Sequence, residues 1–533
     1  MITKVKIGGY RIFREFEFEP NQRLNLIVGG NESGKSTLLE AMILALTGRI
    51  NGRRASDELN PFWFNVDLVH EFITRRGAGE PVAFPEIRIE IFFENREGLQ
   101  QLCGAVNSEL PTMACPGVSM RVQPNPEYAD DLENWAKNPS SILPVEYYMD
   151  DWRDFGDNML TNRPRQLITA IIDSRTVRST SGIDYHLREI LGEHLEPAER
   201  AAISLAYRQA KATLSEDSLS AVNKRIGRFH ASLHDRPISL AMDQSARTSW
   251  EGVVTPHVDR VPFSMSGQGQ QAAIKISLAM SRQSERANFV MVEEPENHLS
   301  HTSLVTLMSR MATLAGVQQQ LFVTTHSSFV LNRLGLDALF LVGPSNAPKI
   351  PDLSPDTVAY FQKLPGYDTL RMVLASKVVL VEGPSDEMIF ERIFKDIYKK
   401  RPMECGIDVL SMRGLSLARC LELCAALDKQ VAALRDNDGT EPSDLRSSVQ
   451  EWLLAGRREI FIGEVAHGRT LEPQLIHFNE EAELRDALQI TPQADLLTWM
   501  TREKTEAALR IAESSVHLTP PDYMRSAAEF IHG

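Results

Sequence analysis

Eight consecutive residues, Gly29-Gly30-Asn31-Glu32-Ser33-Gly34-Lys35-Ser36, satisfy the pattern G-x-x-x-x-G-K-[ST] without a gap. Glycines let a backbone wrap closely around phosphates, and successive N–H groups together with a helix N-terminus face the anion. Lys35 is the residue to reach the β- and γ-phosphates, and Ser36 is the residue to ligate Mg²⁺. Gly29, Asn31, Gly34, Lys35, Ser36 and Thr37 are therefore the candidate nucleotide-binding residues. The motif needs a strand before it and a helix after it. Leu24–Val28 is an apolar run that reads as a buried strand, and Thr37–Leu46 reads as a helix.

Further along, Phe289-Val290-Met291-Val292 runs into Glu293 and Glu294, describing a buried strand that delivers two acids to its C-terminal edge. Ligands bind at that edge in open α/β sheets. Glu293 is placed to hold the Mg²⁺ shell and Glu294 to polarise an attacking water. A second apolar run, Leu321–Thr325, ends at His326, a candidate sensor of the γ-phosphate. Ser266-Gly267-Gln268-Gly269-Gln270 precedes an alanine- and isoleucine-rich helix, another anion-ready helix start.

A separate acidic set follows. Lys377–Val381 reads as a buried strand ending at Glu382, with Asp386 in the turn beyond it. Gly406–Ser411 reads as a second strand, and Gln430–Arg435 as a third that runs into Asp436-Asn437-Asp438-Gly439. In a parallel sheet those strand ends lie side by side, so Glu382, Asp386, Asp436 and Asp438 are expected to converge. Clustered carboxylates repel unless cations neutralise them, and oxygen-only ligands suit Mg²⁺ or Mn²⁺ rather than zinc. Two such ions about 4 Å apart can stabilise both the attacking and the leaving oxygen of a phosphodiester. Taken alone, Asp436–Gly439 is also ordinary turn chemistry.

The elements that must hold these residues imply several domains, since 533 residues exceed one ordinary core. The expected divisions are an ATPase half at 1–95, an insert at 96–255 whose helical region reads as a dimerisation region or equally as a plain cap on the domain, a second ATPase half at 256–343, a proline-rich connection at 344–375 and a second α/β domain at 376–533. The net charge of −14 excludes a globally basic nucleic-acid binder and leaves room for local basic contacts. Five cysteines without a C-x-x-C pair indicate neither a disulfide framework nor a zinc site. No apolar run reaches the roughly 18 residues of a membrane span, and the N-terminus reads as a strand, so a cytoplasmic protein is expected.

The order of the first set of motifs resembles the ABC-type ATPase heads of chromosome-maintenance and double-strand-break-repair proteins. The second block resembles a Toprim domain, a Rossmann-like metal-binding fold. An ABC-type head with a largely helical insert followed by Toprim, an α/β chain throughout, resembles the OLD (overcoming lysogenization defect) nucleases, including the nuclease subunit of Gabija anti-phage systems. That resemblance implies ATP as the nucleotide, DNA as the substrate of an endonuclease, and a homodimer or higher homo-oligomer. In such a dimer, Ser266–Gln270 of one copy completes the ATP site of the other. It also implies a further metal-ligating acid, matched by Glu472, and a lysine stabilising the pentacovalent phosphate, matched by Lys504. The chain departs from the commoner pattern in having Glu293 where an aspartate is usual. A UvrD-like helicase or a reverse transcriptase partner is implied in the family, without a choice between them. Two other readings stay open: a non-nucleolytic ATPase clamp with a vestigial Toprim domain, and a strand passer using a tyrosine such as Tyr147, Tyr148 or Tyr185.

Overall fold

A computed structural model resolves the chain into two compact units. The first comprises Met1–Ile27, Gly34–Thr325 and Gly343–Ala347; the second comprises Val28–Ser33, His326–Val342 and Pro348–Gly533. The structure describes all residues except 31, 51–52, 110–111, 165, 174–194, 227–238, 246–249, 251–256, 259, 268–269, 272–273, 275–287, 298, 315–318, 350–352 and 364–368. Asn31, Gln268, Gly269 and Tyr185 thus lie outside the described residues, as does most of the helix expected after Gln271.

The first part of the chain runs β1 (Ile2–Tyr10), β2 (Phe13–Phe18), β3 (Leu24–Val28), α1 (Lys35–Thr47), β4 (Ile87–Phe93), β5 (Cys115–Pro124), β6 (Tyr148–Asp154), β7 (Thr169–Asp173), α2 (Pro197–Asp217), β8 (Phe289–Glu293), α3 (His301–Leu314) and β9 (Gln320–Thr324). The alternating stretch Tyr10–Phe18 is not one strand. The chain reverses at Arg11, whose φ is 49°, and pairs Tyr10 with Phe13 in a hairpin. Antiparallel pairing then continues from β1 to β4, from β4 to β5 and from β5 to β6. A parallel layer has the order β7-β8-β9-β3. Its strands are apolar without alternation, with Val290–Val292, Leu321–Val323 and Leu26–Val28 all buried, as a sheet covered on both faces requires. Helix α1 is apolar nearly all round and buries Leu38, Met42 and Leu46, which fits a core helix rather than a surface one.

Among its described residues the insert carries strands as well as helix. β5, β6 and β7 extend the two sheets of the first unit, and α2 is the long helix among the described residues of the insert. Pro197 occupies its first turn, where a missing N–H costs nothing, and Glu199 accepts from the Glu196 N–H at 2.9 Å.

The second part runs α4 (Pro355–Lys363), α5 (Thr369–Leu374), β10 (Lys377–Val381), α6 (Pro384–Tyr398), β11 (Ile407–Ser411), α7 (Leu417–Ala426), β12 (Gln430–Arg435), β13 (Arg458–Ile462), α8 (Leu471–Phe478), α9 (Lys504–Glu513) and α10 (Asp522–His532). The strands form one parallel sheet, β11-β10-β12-β13. Val379, Val381, Phe390, Phe394, Leu475, Met524 and Ile531 join in its core. The proline-bearing stretch expected as a connection carries α4 and α5, both within this unit. The buried carboxylate of Glu422 on α7 accepts from the Ser354 N–H at 2.6 Å and from the Thr357 hydroxyl, and so ties down the start of α4.

Candidate active site

The parallel sheet of the second unit brings the acidic set to one edge. Glu382 directly follows β10, and Asp386 lies in the first turn of α6. Pro384 starts that helix, so Asp386 belongs to the helix rather than to the turn expected after β10. Its carboxylate accepts from the Gly383 N–H at 3.0 Å. Asp436 follows β12, and its N–H donates to Glu382 at 3.2 Å, joining two neighbouring strand ends.

Asp436–Gly439 is a turn and an acid carrier at once. Asp438 and Gly439 take φ values of 49° and 85°. Asn437, 1% exposed, accepts from the Gly439 N–H and donates to the carbonyls of Gly463 and Gly468 at 3.0 and 2.7 Å. The Asp438 N–H donates to the Arg469 carbonyl at 3.1 Å. This buried amide fixes the loop so that its two flanking acids face the same side.

Two residues far along the chain join the group. Glu472 lies in the first turn of α8, buried, and accepts from the Thr470 hydroxyl at 2.7 Å. Lys504, the first residue of α9, places Nζ 3.5 Å from Glu472 Oε1.

The electrostatics report the crowding. Burial, then the charges of Asp386, Glu382, Glu472 and Asp438, push the Asp436 carboxyl up to about 8. Glu382 is raised by burial and by Asp386 and Asp438, with Arg435 opposing. Asp386 is raised by burial and by Glu472, with backbone hydrogen bonds and Lys504 opposing. The phenol of Tyr523, on α10 beneath the cluster, is held well above its usual range by burial and the same carboxylates. Among the described residues, no three acidic, histidine or cysteine side chains form a ready-made cage for a metal ion. The donor set is nonetheless the right chemistry for a hard divalent cation, which would relieve the mutual repulsion of these carboxylates. Tyr523 carries no signal in a single sequence that marks it as part of this group. Arg435 adjoins an acid at a strand end, and that was the one available clue.

The phosphate-loop motif leads directly into α1. Gly34 has φ 97°, and a Cβ there would meet Ile12 and Phe13 side chains at 2.5 and 2.7 Å, so only glycine fits. At Gly29 a Cβ would lie 2.3 Å from the Ser33 hydroxyl. Lys35 is buried at the helix start, followed by Ser36 and Thr37 in the first turn. On the same sheet Glu293 ends β8 opposite Thr324 of β9, which pairs with Ile27 of β3. Glu294 has φ 43°, donates its N–H to the Thr324 carbonyl at 3.0 Å, and is held through Oε2 by the Asn297 amide at 2.7 Å. Asn297 and Glu296, which accepts from the Thr325 hydroxyl at 2.8 Å, were not singled out in the sequence. Ser266 and Gly267 begin a helical turn: the Gln271 N–H donates to the Gly267 carbonyl and its side chain to the Ser266 carbonyl. His326 falls in the second unit, one residue before Ser327, which caps the helix Ser328–Leu334.

Two family models match the chain: an AAA domain over residues 4–189, and an "overcoming lysogenization defect protein-like, TOPRIM domain" over residues 373–438. A DNA replication and repair protein RecF from Thioalkalivibrio sulfidiphilus (strain HL-EbGR7) is 37% identical over 82 residues, which span 15% of this chain and 22% of that relative. Among solved structures, the C-terminal region of the Burkholderia pseudomallei OLD protein is similar over 30% of this chain and 97% of that one, at 20% identity and a TM-score of 0.24. The SMC head domain from Thermotoga maritima is similar over 66% of this chain and 99% of that one, at 12% identity and a TM-score of 0.30. Among the described residues, no helix is long and apolar enough to cross a membrane.

Proposed function

We propose that this chain, an OLD-family ATPase joined to a Toprim domain, is an ATP-binding, divalent-metal-dependent DNA endonuclease. The observation that supports this most is the acidic edge of the second unit. Glu382, Asp386, Asp436, Asp438 and Glu472 come from three stretches of chain, and burial together with the neighbouring carboxylates raises the proton affinity of Glu382, Asp386 and Asp436. Such a cluster is costly without a cation. Glu382, Asp386, Asp436, Asp438 and Glu472 would hold Mg²⁺ or Mn²⁺, and bound cations would supply charge stabilisation for an attacking and a leaving oxygen. Lys504, with half its side chain exposed and its Nζ beside Glu472, would offer its charge to the phosphate as negative charge builds there. Lys35, Ser36 and the glycine loop would bind ATP. Glu293 would complete the Mg²⁺ shell of that nucleotide, and Glu294, oriented by Asn297, would hold a water for its hydrolysis.

DNA as the substrate, a homodimer with shared ATP sites, and a role in anti-phage defence or DNA repair beside a helicase or reverse transcriptase belong to the same reading. The direct test is plasmid incubated with purified protein. Cleavage or nicking is expected with added Mn²⁺ or Mg²⁺, lost with a chelator, and abolished by Glu382→Ala or Asp436→Ala with ATP binding retained. Persistent cutting by Asp436→Ala/Asp438→Ala would place the nuclease elsewhere, and no cutting by the wild type would leave an ATPase clamp.

A further inference from the structure

A DNA strand that reaches the carboxylate edge meets concentrated negative charge on a chain that is already −14 overall. Long-range attraction therefore does not bring it there, and the phosphates need local cations. Two arginines border the acidic cluster in the second unit. Arg435, the last residue of β12, stands immediately before Asp436 and lines a cleft of about 450 Å³ together with Glu382, Asp438, Ser416 and Ser448. Its side chain is 31% exposed. Among the described residues its guanidinium makes one polar contact, with Glu382 at 3.9 Å, too long for a hydrogen bond. Arg469 lies past the other end of the Asp436–Gly439 turn. A Cβ on Gly439 would sit 3.2 Å from its Nε, so its side chain covers that turn. It is exposed, and among the described residues its guanidinium has neither a hydrogen bond nor an ion pair. Arg392, Arg485 and Arg510 of this unit, by contrast, are spent. Arg392 donates to Asp396, Ile511 and Val516; Arg485 to Glu481 and Ala494; Arg510 to Glu506 and Leu488.

A guanidinium fork matches two phosphate oxygens, and its charge acts more strongly where it is partly shielded from water. With their donors turned to water rather than to protein acceptors, both groups can take an incoming phosphate without breaking a protein hydrogen bond. We infer that Arg435 and Arg469 are a pair of phosphate clamps that seat the DNA backbone on both sides of the carboxylate cluster. This rests on the nuclease reading for its substrate, and on the two unspent guanidinium groups for its residues. Lys400 supplies a contrast. It follows the C-terminal end of α6, which leads away from the strand ends that carry the acids, so it bears the same charge remote from the site.

The test measures binding of a fluorescent duplex of about 30 base pairs to full-length Asp436→Ala protein at fixed Mg²⁺, with KCl varied from roughly 50 to 200 mM. Arg435→Gln and Arg469→Gln should each flatten the slope of log affinity against log salt by about 0.9. Arg435→Lys should keep the slope, because a point charge still meets the phosphate, and Lys400→Gln should not change it. Unchanged slopes in both glutamine variants, an equal loss in Lys400→Gln, or no duplex binding by the parent protein would each overturn the clamps. Plasmid cleavage by the otherwise wild-type chain is scored in parallel. Flattened slopes without cleavage would keep the clamps and sink the nuclease, and cleavage with unchanged slopes would do the reverse.

Discussion

Asp436 holds its proton up to about pH 8 in the metal-free protein, chiefly because it is buried and then because of Asp386, Glu382, Glu472 and Asp438. A cation binding there must displace that proton below pH 8 and meets a bare carboxylate above it. Mn²⁺ affinity should therefore rise by about tenfold per pH unit up to about 8 and level off beyond it. Calorimetry in two buffers of different ionisation heat should show about one proton released per ion at pH 7 and none at pH 9. A pH-independent affinity would remove Asp436 from the metal set. Stability has a sign of its own. The folded value lies above the ordinary 3.8, so the native state binds the extra proton between about 4 and about 8. The associated stability is present at low pH and is lost as pH rises through about 8. In chelator, the wild type should melt at a lower temperature at pH 9 than at pH 6, and Asp436→Asn should lose most of that difference while also losing cleavage.

At the scale of elements, α6 gives Asp386 two tasks that can be separated. Its carboxylate takes the Gly383 N–H at the start of the helix, and it faces Glu472 across the site. Asp386→Ala removes both, and should lower stability in chelator by about 1 kcal/mol through the lost cap. Asp386→Asn keeps an acceptor for Gly383 and removes the charge, so it should melt at or above the wild-type temperature yet bind Mn²⁺ weakly. Wild-type Mn²⁺ affinity in the asparagine variant would leave Asp386 a cap alone. Strands with continuous apolar runs, such as Phe289–Glu293 and Lys377–Val381, were legible because a two-sided buried strand has little other composition open to it. The strand Arg458–Ile462 was not, since it mixes Arg458 and Glu459 with only three apolar residues. The prolines before Lys377 read as a connection, yet Pro355 starts α4, which is held by Glu422, a carboxylate 65 or more residues away. Local sequence cannot register a tie of that length. The acids at strand ends were legible because strand and acid are adjacent in sequence. Tyr523 and the carbonyls of Gly463 and Gly468 that Asn437 reaches were not, because they depend on packing between distant elements.

For the whole molecule, an ATPase and a Toprim domain on one chain matter to each other only if nucleotide state changes what the Toprim domain does. If Ser266 and Gly267 complete the ATP site of a second copy, Lys35→Ala and Gly267→Arg chains should each fail to hydrolyse ATP alone. Mixed, they should recover roughly one working site per heterodimer. Absence of recovery, with heterodimers shown by differential tagging, would put each ATP site within one chain. Glu294→Gln then asks about coupling. The substitution leaves Lys35 and Ser36 to hold ATP, and the amide can still accept from Asn297, but it cannot polarise water as the carboxylate does. ATP should bind and persist. Trapped ATP shifts cleavage only if the cleavage-competent state of the Toprim domain has a different affinity for ATP than its resting state. A tenfold change in nicking rate corresponds to about 1.4 kcal/mol of such difference, within the usual range of allosteric coupling. The measurement is nicking by Glu294→Gln with and without ATP beside Lys35→Ala, which lacks the phosphate-binding lysine and should not respond to ATP. A nucleotide-dependent rate in the first and none in the second is the expected result. Equal rates in all four conditions would mean that the two activities share a chain without sharing a state.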